Sequence, residues 1–360
     1  MKKRLTLILA AVMLCMLLTG CETVMPNAGH QLNRIVLSKS GKAGTVDETA
    51  PFPGDKFINP LSGQLVDHDV SYMRPVGFMN NNIYQAIPQH GISQAEIVFE
   101  MNAEGNITRF LTIYQDIASQ GAIGSIRSAR PYYLDWALAF DAVLVHAGGS
   151  ETANNAINRR GVGHINALVH GEPTFYRDQN RLNSGYAIEH TLFTTGPNIQ
   201  YFMESNGMRT NHADGYECDL KFTTVPQTAE GTDAPEITVY MNSTKRTQFR
   251  YDPESKQYLM TEYDLPMTDG NTGAQLAVKN VLVFFTSYWR EYSYDTTLLA
   301  DMSGGSGYYA CEGKMIPITW SRTDGGLWMY KEDGSLLELG IGHSFVCCAD
   351  ADRGDVILGW

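Results

Sequence analysis

Two short stretches of the 360-residue chain concentrate groups able to do chemistry. The first is Gly124-Ser125-Ile126-Arg127-Ser128-Ala129-Arg130-Pro131, which sets two guanidinium groups and two hydroxyls just ahead of a predicted helix start. Free backbone N–H groups and the positive end of a helix dipole gather at such a point, so the stretch suits an anion. Between Arg74 and Lys221 the basic residues are all arginine except Lys221 itself, a bias that points to forked pairing with carboxylate or phosphate oxygens. Two readings compete. Arg109, Arg127 and Arg130 hold a ligand, with Ser128 and Glu100 beside them, or the arginines pair internally with Glu96, Glu100, Asp116 or Asp135.

The second stretch is Val145-His146-Ala147-Gly148-Gly149-Ser150, a strand end followed by a Gly-Gly turn and a helix start. Its functional readings are a Ser150 nucleophile with His146 or His190 as base, or an oxyanion nest built on Gly148 and Gly149. The Gly-x-Ser-x-Gly pattern is not met, because Thr152 stands where its second glycine belongs. Serine before Glu151 is also what ordinary helix capping produces. A third feature is aromatic density toward the C-terminus: Tyr251, Tyr258, Tyr263, Tyr288, Tyr292, Tyr294, Tyr308, Tyr309, Trp289 and Trp320. Such side chains suit stacking on sugars or a protein partner, or cross-strand pairing within a sheet. The sequence carries no phosphate-binding loop, dinucleotide fingerprint, HExxH or zinc-type Cys/His spacing, so neither a cofactor nor a metal is expected.

The N-terminus gives an address. Lys2, Lys3 and Arg4 precede an apolar run from Leu5 to Leu18, and Leu18-Thr19-Gly20-Cys21 follows. This reads as a secretory signal with a lipobox: residues 1–20 are removed and the Cys21 thiol is diacylated. Two acyl chains give stable anchoring, whereas one holds marginally. The predicted location is therefore extracytoplasmic, on the outer face of the cell membrane, with membrane lipid as a partner through Cys21. A net charge of −12 argues against nucleic acid as a partner. Cys218, Cys311, Cys347 and Cys348 remain in the mature chain; Cys347 and Cys348 fall on opposite faces of a strand, and one bridge from Cys311 to either is an open alternative.

These groups need a scaffold. Residues 21–58, rich in Gly, Ser, Pro and Thr, read as a flexible tether spanning about 30–35 Å. Residues 59–226 alternate short apolar strands with helical segments, including 131–138, 151–160 and one ending near 206–207, and read as a mixed α/β domain. Residues 227–360 break into short strand-like runs separated by Asp-Pro and Asp-Gly turns, and read as a mostly antiparallel β domain. The fold class expected is α+β.

Several motifs carry a family resemblance. Asn59-Pro60-Leu61-Ser62-Gly63, Gly91-Ile92-Ser93-Gln94-Ala95-Glu96, Ile107-Thr108-Arg109-Phe110, the two stretches above, Gly305-Ser306-Gly307-Tyr308-Tyr309 and Thr319-Trp320-Ser321-Arg322 resemble the YerB-type lipoproteins. The resemblance covers nearly the whole mature chain and implies an envelope location and a pair of domains. It supplies no catalytic residues to carry over, and Thr191 stands after His190 where the family pattern has Asn. The favoured function is a non-catalytic, lipid-anchored envelope protein that binds an anionic or glycan ligand (a wall polymer) or a membrane-protein partner, with a role in cell-wall processes. The rival is a hydrolase or transferase acting on envelope polymers through Ser150, His146 and His190.

Overall fold

A computed structural model describes residues 56–216, 220–290 and 297–359. Cys21, the signal segment and nearly all of the predicted tether lie outside the described residues. Strands β1 (Val76–Asn82), β2 (Ile97–Ala103) and β3 (Ile107–Tyr114) are followed by α1 (Pro131–Ala139), β4 (Val143–His146), α2 (Glu151–Arg160), β5 (His164–Asn166) and α3 (Gly196–Ser205). Then come β6 (Glu236–Tyr240), β7 (Arg246–Asp252), β8 (Gln257–Glu262), β9 (Asn280–Thr286), β10 (Gly304–Cys311), β11 (Lys314–Thr323), β12 (Gly326–Lys331), β13 (Ser344–Asp350) and β14 (Asp355–Gly359). The α+β class and the mixed and antiparallel character of the two regions are as the sequence predicts.

Local chemistry sets the ends of these elements. Gly105 and Asn106, both with positive φ, turn the chain between β2 and β3. Pro131 occupies the first turn of α1, where a missing N–H is harmless. Gly161 closes α2 in the left-handed conformation.

One long sheet runs β11-β10-β9-β13-β2-β3-β1-β4-β5 through both regions. Its joint is β13, parallel to β9 on one side and to β2 on the other. A strand parallel to both neighbours belongs in the interior of a sheet covered on both faces, and Ser344–Ala349 is buried without interruption. The faces carry separate cores. One takes Phe99, Met101, Phe284 and Cys348 with Tyr133 and Trp136 of α1; the other takes Val98, Phe110, Phe345 and Cys347 with Phe249 and Tyr258 of the antiparallel sheet β14-β6-β7-β8. The adjacent cysteines do point to opposite faces. The bridge left open for Cys311 is not formed: Cys311, Cys347 and Cys348 are buried free thiols, and Cys218 lies outside the described residues.

The Asn59-Pro60-Leu61-Ser62-Gly63 turn docks onto this frame. Asn59 Nδ2 donates to Glu96 Oε1 at 2.7 Å, and a Cβ at Gly63 would lie 2.6 Å from the Phe222 ring. Burial pushes Glu96 up to about 7 against the pull of the Gln115 N–H and Asn59.

Because β13 binds both regions, Phe345→Ala is expected to destabilise the whole described fold by about 3–5 kcal/mol. Amide protons of β3 and β10 should lose hydrogen-exchange protection by equal amounts; loss confined to β10 would contradict a shared frame.

Candidate functional site

The sheet geometry brings the two chemically loaded stretches together. β1 pairs in parallel with β4 only over Val76–Phe78, which leaves its later edge open. Residues 125–129 fill that edge. Asn81 N donates to Ser125 O at 3.0 Å and Arg127 N to Met79 O at 2.8 Å, while Ala147 N donates to Arg127 O and Ala129 N to Gly148 O, both at 3.0 Å. The arginine loop is thus laced between β1 and the turn after β4. Gly124 is required at its entrance, since a Cβ there would lie 2.8 Å from Leu192 O and 2.7 Å from the Phe193 ring.

Strand parity decides which side chains reach this loop. Arg109 is opposite Met101 on one neighbour and Asn81 on the other, so all three face the helix-covered side. Arg109 is 5% exposed; its Nη1 donates to Ser128 O at 2.8 Å and its Nε has no hydrogen-bond partner. Arg127 is half-buried, forms no ion pair among the described residues, and also has an unpartnered buried Nε. Arg130 is engaged: its Nε lies 2.8 and 2.9 Å from the two oxygens of Glu104. Burial would raise Glu104, but the Arg130 contact outweighs it and holds that carboxyl below its usual value. Of these three guanidinium groups, only that of Arg130 has a paired carboxylate. Burial, then the charges of Arg130 and Arg127, push Arg109 down from its ordinary value, and burial does the same to Arg127. Glu189, whose charge opposes that lowering at Arg127, is exposed and makes no ion pair with it. Ser125 Oγ and Asn81 Oδ1 are two more buried polar atoms without partners here, and Asn81 Nδ2 donates to His190 Nδ1 at 2.8 Å.

The predicted partners need correcting. Of the four acids expected to pair with arginine, only Asp135 does so, with Arg160 and Arg322. Arg130 takes Glu104 instead, and Arg74 and Arg209 take Asp141. Glu100, expected beside the arginines, is one residue out of phase with Met101; it points to the opposite face, toward Thr108, Thr247 and Lys245. Ser150 is a helix cap, its Oγ accepting from Ala153 N at 3.1 Å. His146 offers it no base, because Nδ1 donates to Gly148 O at 2.7 Å and Nε2 accepts from His164 Nδ1 at 3.0 Å. The Ser150–His146–His190 set is not assembled. Tyr258 and Tyr309 are core residues, while Trp289 is exposed on a polar cleft of about 260 Å³ lined also by Asn106, Asp352 and Arg353; Tyr292 and Tyr294 lie outside the described residues.

Sequence reasoning missed Asn81, Glu104 and His164. One signal was available: Asn80, Asn81 and Asn82 place three consecutive amides on a strand buried throughout. Among the described residues no three ligating side chains gather for a metal ion, and no helix is long and apolar enough to cross a membrane.

The two regions of the chain match the two parts of a known family. Residues 61–209 match the "Protein of unknown function (DUF3048) N-terminal domain" and residues 237–346 the corresponding C-terminal domain, and the chain belongs to this family. It is similar to "Putative lipoprotein YerB" of Bacillus subtilis (strain 168), 28% identical over 87% of this chain and 92% of that one. The crystal structure of the YerB protein from Bacillus subtilis superposes with a TM-score of 0.73 at 27% identity, covering 84% of this chain and all of the other.

Burial pushes His146 from 6.5 down to about 4, ahead of the opposing Gly148 carbonyl contact. Between those values the unfolded chain binds the proton and the folded chain does not, so acidification from pH 6.5 toward 4 destabilises the fold, by up to about 3 kcal/mol. Glu96 acts in the opposite sense between its ordinary 4.5 and about 7. The difference between wild type and His146→Gln in denaturant melts across this range isolates the histidine; identical pH slopes would reject the assignment.

Proposed function

We propose that the protein is a lipid-anchored extracytoplasmic envelope protein, held on the outer membrane face by diacylated Cys21. In this reading its arginine loop binds an anionic group, phosphate or carboxylate, carried by an envelope polymer. The single observation behind the binding role is the charge imbalance: Arg109, Arg127 and Arg130 converge, and only Arg130 has a carboxylate of its own. Arg109 and Arg127, held beside Arg130 with no ion pair of their own, gain from an oxyanion that takes their free Nε hydrogens. The N-terminus of α1 adds favourable field at the same loop, since Arg130 is its N-cap and offers no side-chain acceptor. Ser125 Oγ, buried and unpartnered, supplies a further donor. The lipoprotein name of the relative supports the anchored location, and the occupied nitrogens of His146 weigh against the hydrolase reading through Ser150.

Inorganic phosphate serves as the probe. Titration calorimetry at low ionic strength should detect binding, weakening as salt rises. Arg127→Gln, which breaks no ion pair, should lower the affinity by roughly ten- to a hundredfold, the worth of one charged hydrogen bond of about 1.5–3 kcal/mol. Unchanged phosphate affinity in that variant, with wild-type melting, would reject the site.

A further inference from the structure

On the opposite face of the sheet, a buried amine and two buried carboxylates converge where the antiparallel sheet packs on the central one. Lys245, just ahead of β7, is 5% exposed; Glu262, the last residue of β8, is 1% exposed; Glu100 of β2 is fully buried. Thr247 is directly opposite Glu262 in the β7–β8 register. Lys245, two residues earlier, is therefore a diagonal neighbour of Glu262 on the same face. The Lys245 ammonium forms an ion pair with Glu262 Oε2 and lies 4.0 Å from Glu100 Oε1.

The surroundings hold these groups in place and exclude water. Thr108 Oγ1 donates to Glu100 Oε1 and Thr247 Oγ1 reaches Glu100 Oε2, each at 2.6 Å. Asn82 Nδ2 lies 3.0 Å from Glu100 Oε1 and 3.2 Å from Glu262 Oε1, tying the two carboxylates together. The Tyr263 ring covers the amine at 3.8 Å, and the Tyr263 hydroxyl donates to Asn82 O at 2.9 Å. Phe110, Phe249 and Phe345 belong to the core on this face. An amine held in an ion pair with a carboxylate in a dry site is placed for condensation, because proximity replaces the encounter of two solutes and the released water leaves the apolar interior.

We propose that Lys245 and Glu262 are joined by an intramolecular amide bond that the folded chain forms itself, with Glu100 carrying the proton. Transfer of one proton from Lys245 Nζ to the Glu262 carboxylate turns the ion pair into a neutral amine and a carboxylic acid. The nitrogen lone pair attacks Glu262 Cδ and the N–C bond forms. Glu100 takes a proton from the nitrogen and delivers it to the departing hydroxyl. The C–O bond breaks, one water leaves, and no oxidant or reductant is involved. Burial pushes Lys245 down to about 8, against the attraction of Glu100, which increases the neutral amine available to react. The product pins the β7–β8 hairpin covalently. It is independent of the anion site on the other face.

The test is peptide mapping of the purified full chain. Arg246, Arg250 and Lys256 lie between the two residues, so trypsin separates their peptides unless the amide holds them. Tandem mass spectrometry should find a branched peptide lighter by one water than its two arms, joined at Lys245 and Glu262. Glu100→Gln should reduce its yield at least tenfold while circular dichroism still reports the native sheet. Lys245→Arg, which keeps the charge, should abolish the branched peptide. Separate unmodified arms from the wild-type chain would overturn the proposal, as would a branch from Lys245 to Asn82 with loss of ammonia. Undiminished yield in Glu100→Gln would overturn the role of Glu100.

Discussion

The parallel insertion of β13 between β9 and β2 is the constraint from which the rest of the architecture follows. Its seven residues pair with β9 along their whole length, and five of them pair with β2. This gives the two family segments one hydrogen-bonded frame. With both edges taken, β13 has to be covered on both faces. The helices α1 and α2 supply one cover and the antiparallel sheet the other. The alternation along the strand then assigns Phe345 and Cys347 to one core and Val346 and Cys348 to its opposite.

The same alternation separates two kinds of polar chemistry. Arg109 and Asn81 face the helical side and meet the arginine loop. Glu100 and Thr108, each one residue out of phase with them, face the antiparallel sheet and meet Lys245 and Glu262. One face therefore holds positive charge in excess of its carboxylates, and the other encloses an amine between two acids. Groups adjacent in sequence are parted by the thickness of the sheet. Residues 125–129 and 147–150, separated in sequence, are laced together because β1 outruns β4 and offers its edge.

Much of the scaffold was legible from residue patterns. The strand 107–114 and the helix 151–160 fall where apolar runs and turn residues put them, and Ser150 does what a serine before a helix ordinarily does. The arginine cluster stood out through composition. Its pairing did not, since Glu104 is 26 residues from Arg130 and reaches it only through the folding of β2 over α1. His164 escaped notice for the same reason: its contact with His146 depends on β5 lying parallel to β4.

Sequence by itself determined the class of the fold, the ends of its main elements, the family and the leader-plus-lipobox pattern, because each rests on short-range propensity or on a contiguous motif. Tertiary structure alone decided that β13 joins the two regions, that Arg127 is left without a carboxylate, that His146 turns to His164 rather than Ser150, and that Lys245 is buried against Glu262. Those outcomes depend on which strand is neighbour to which. Strand order is set by the burial of whole faces, a property that no local stretch of chain encodes.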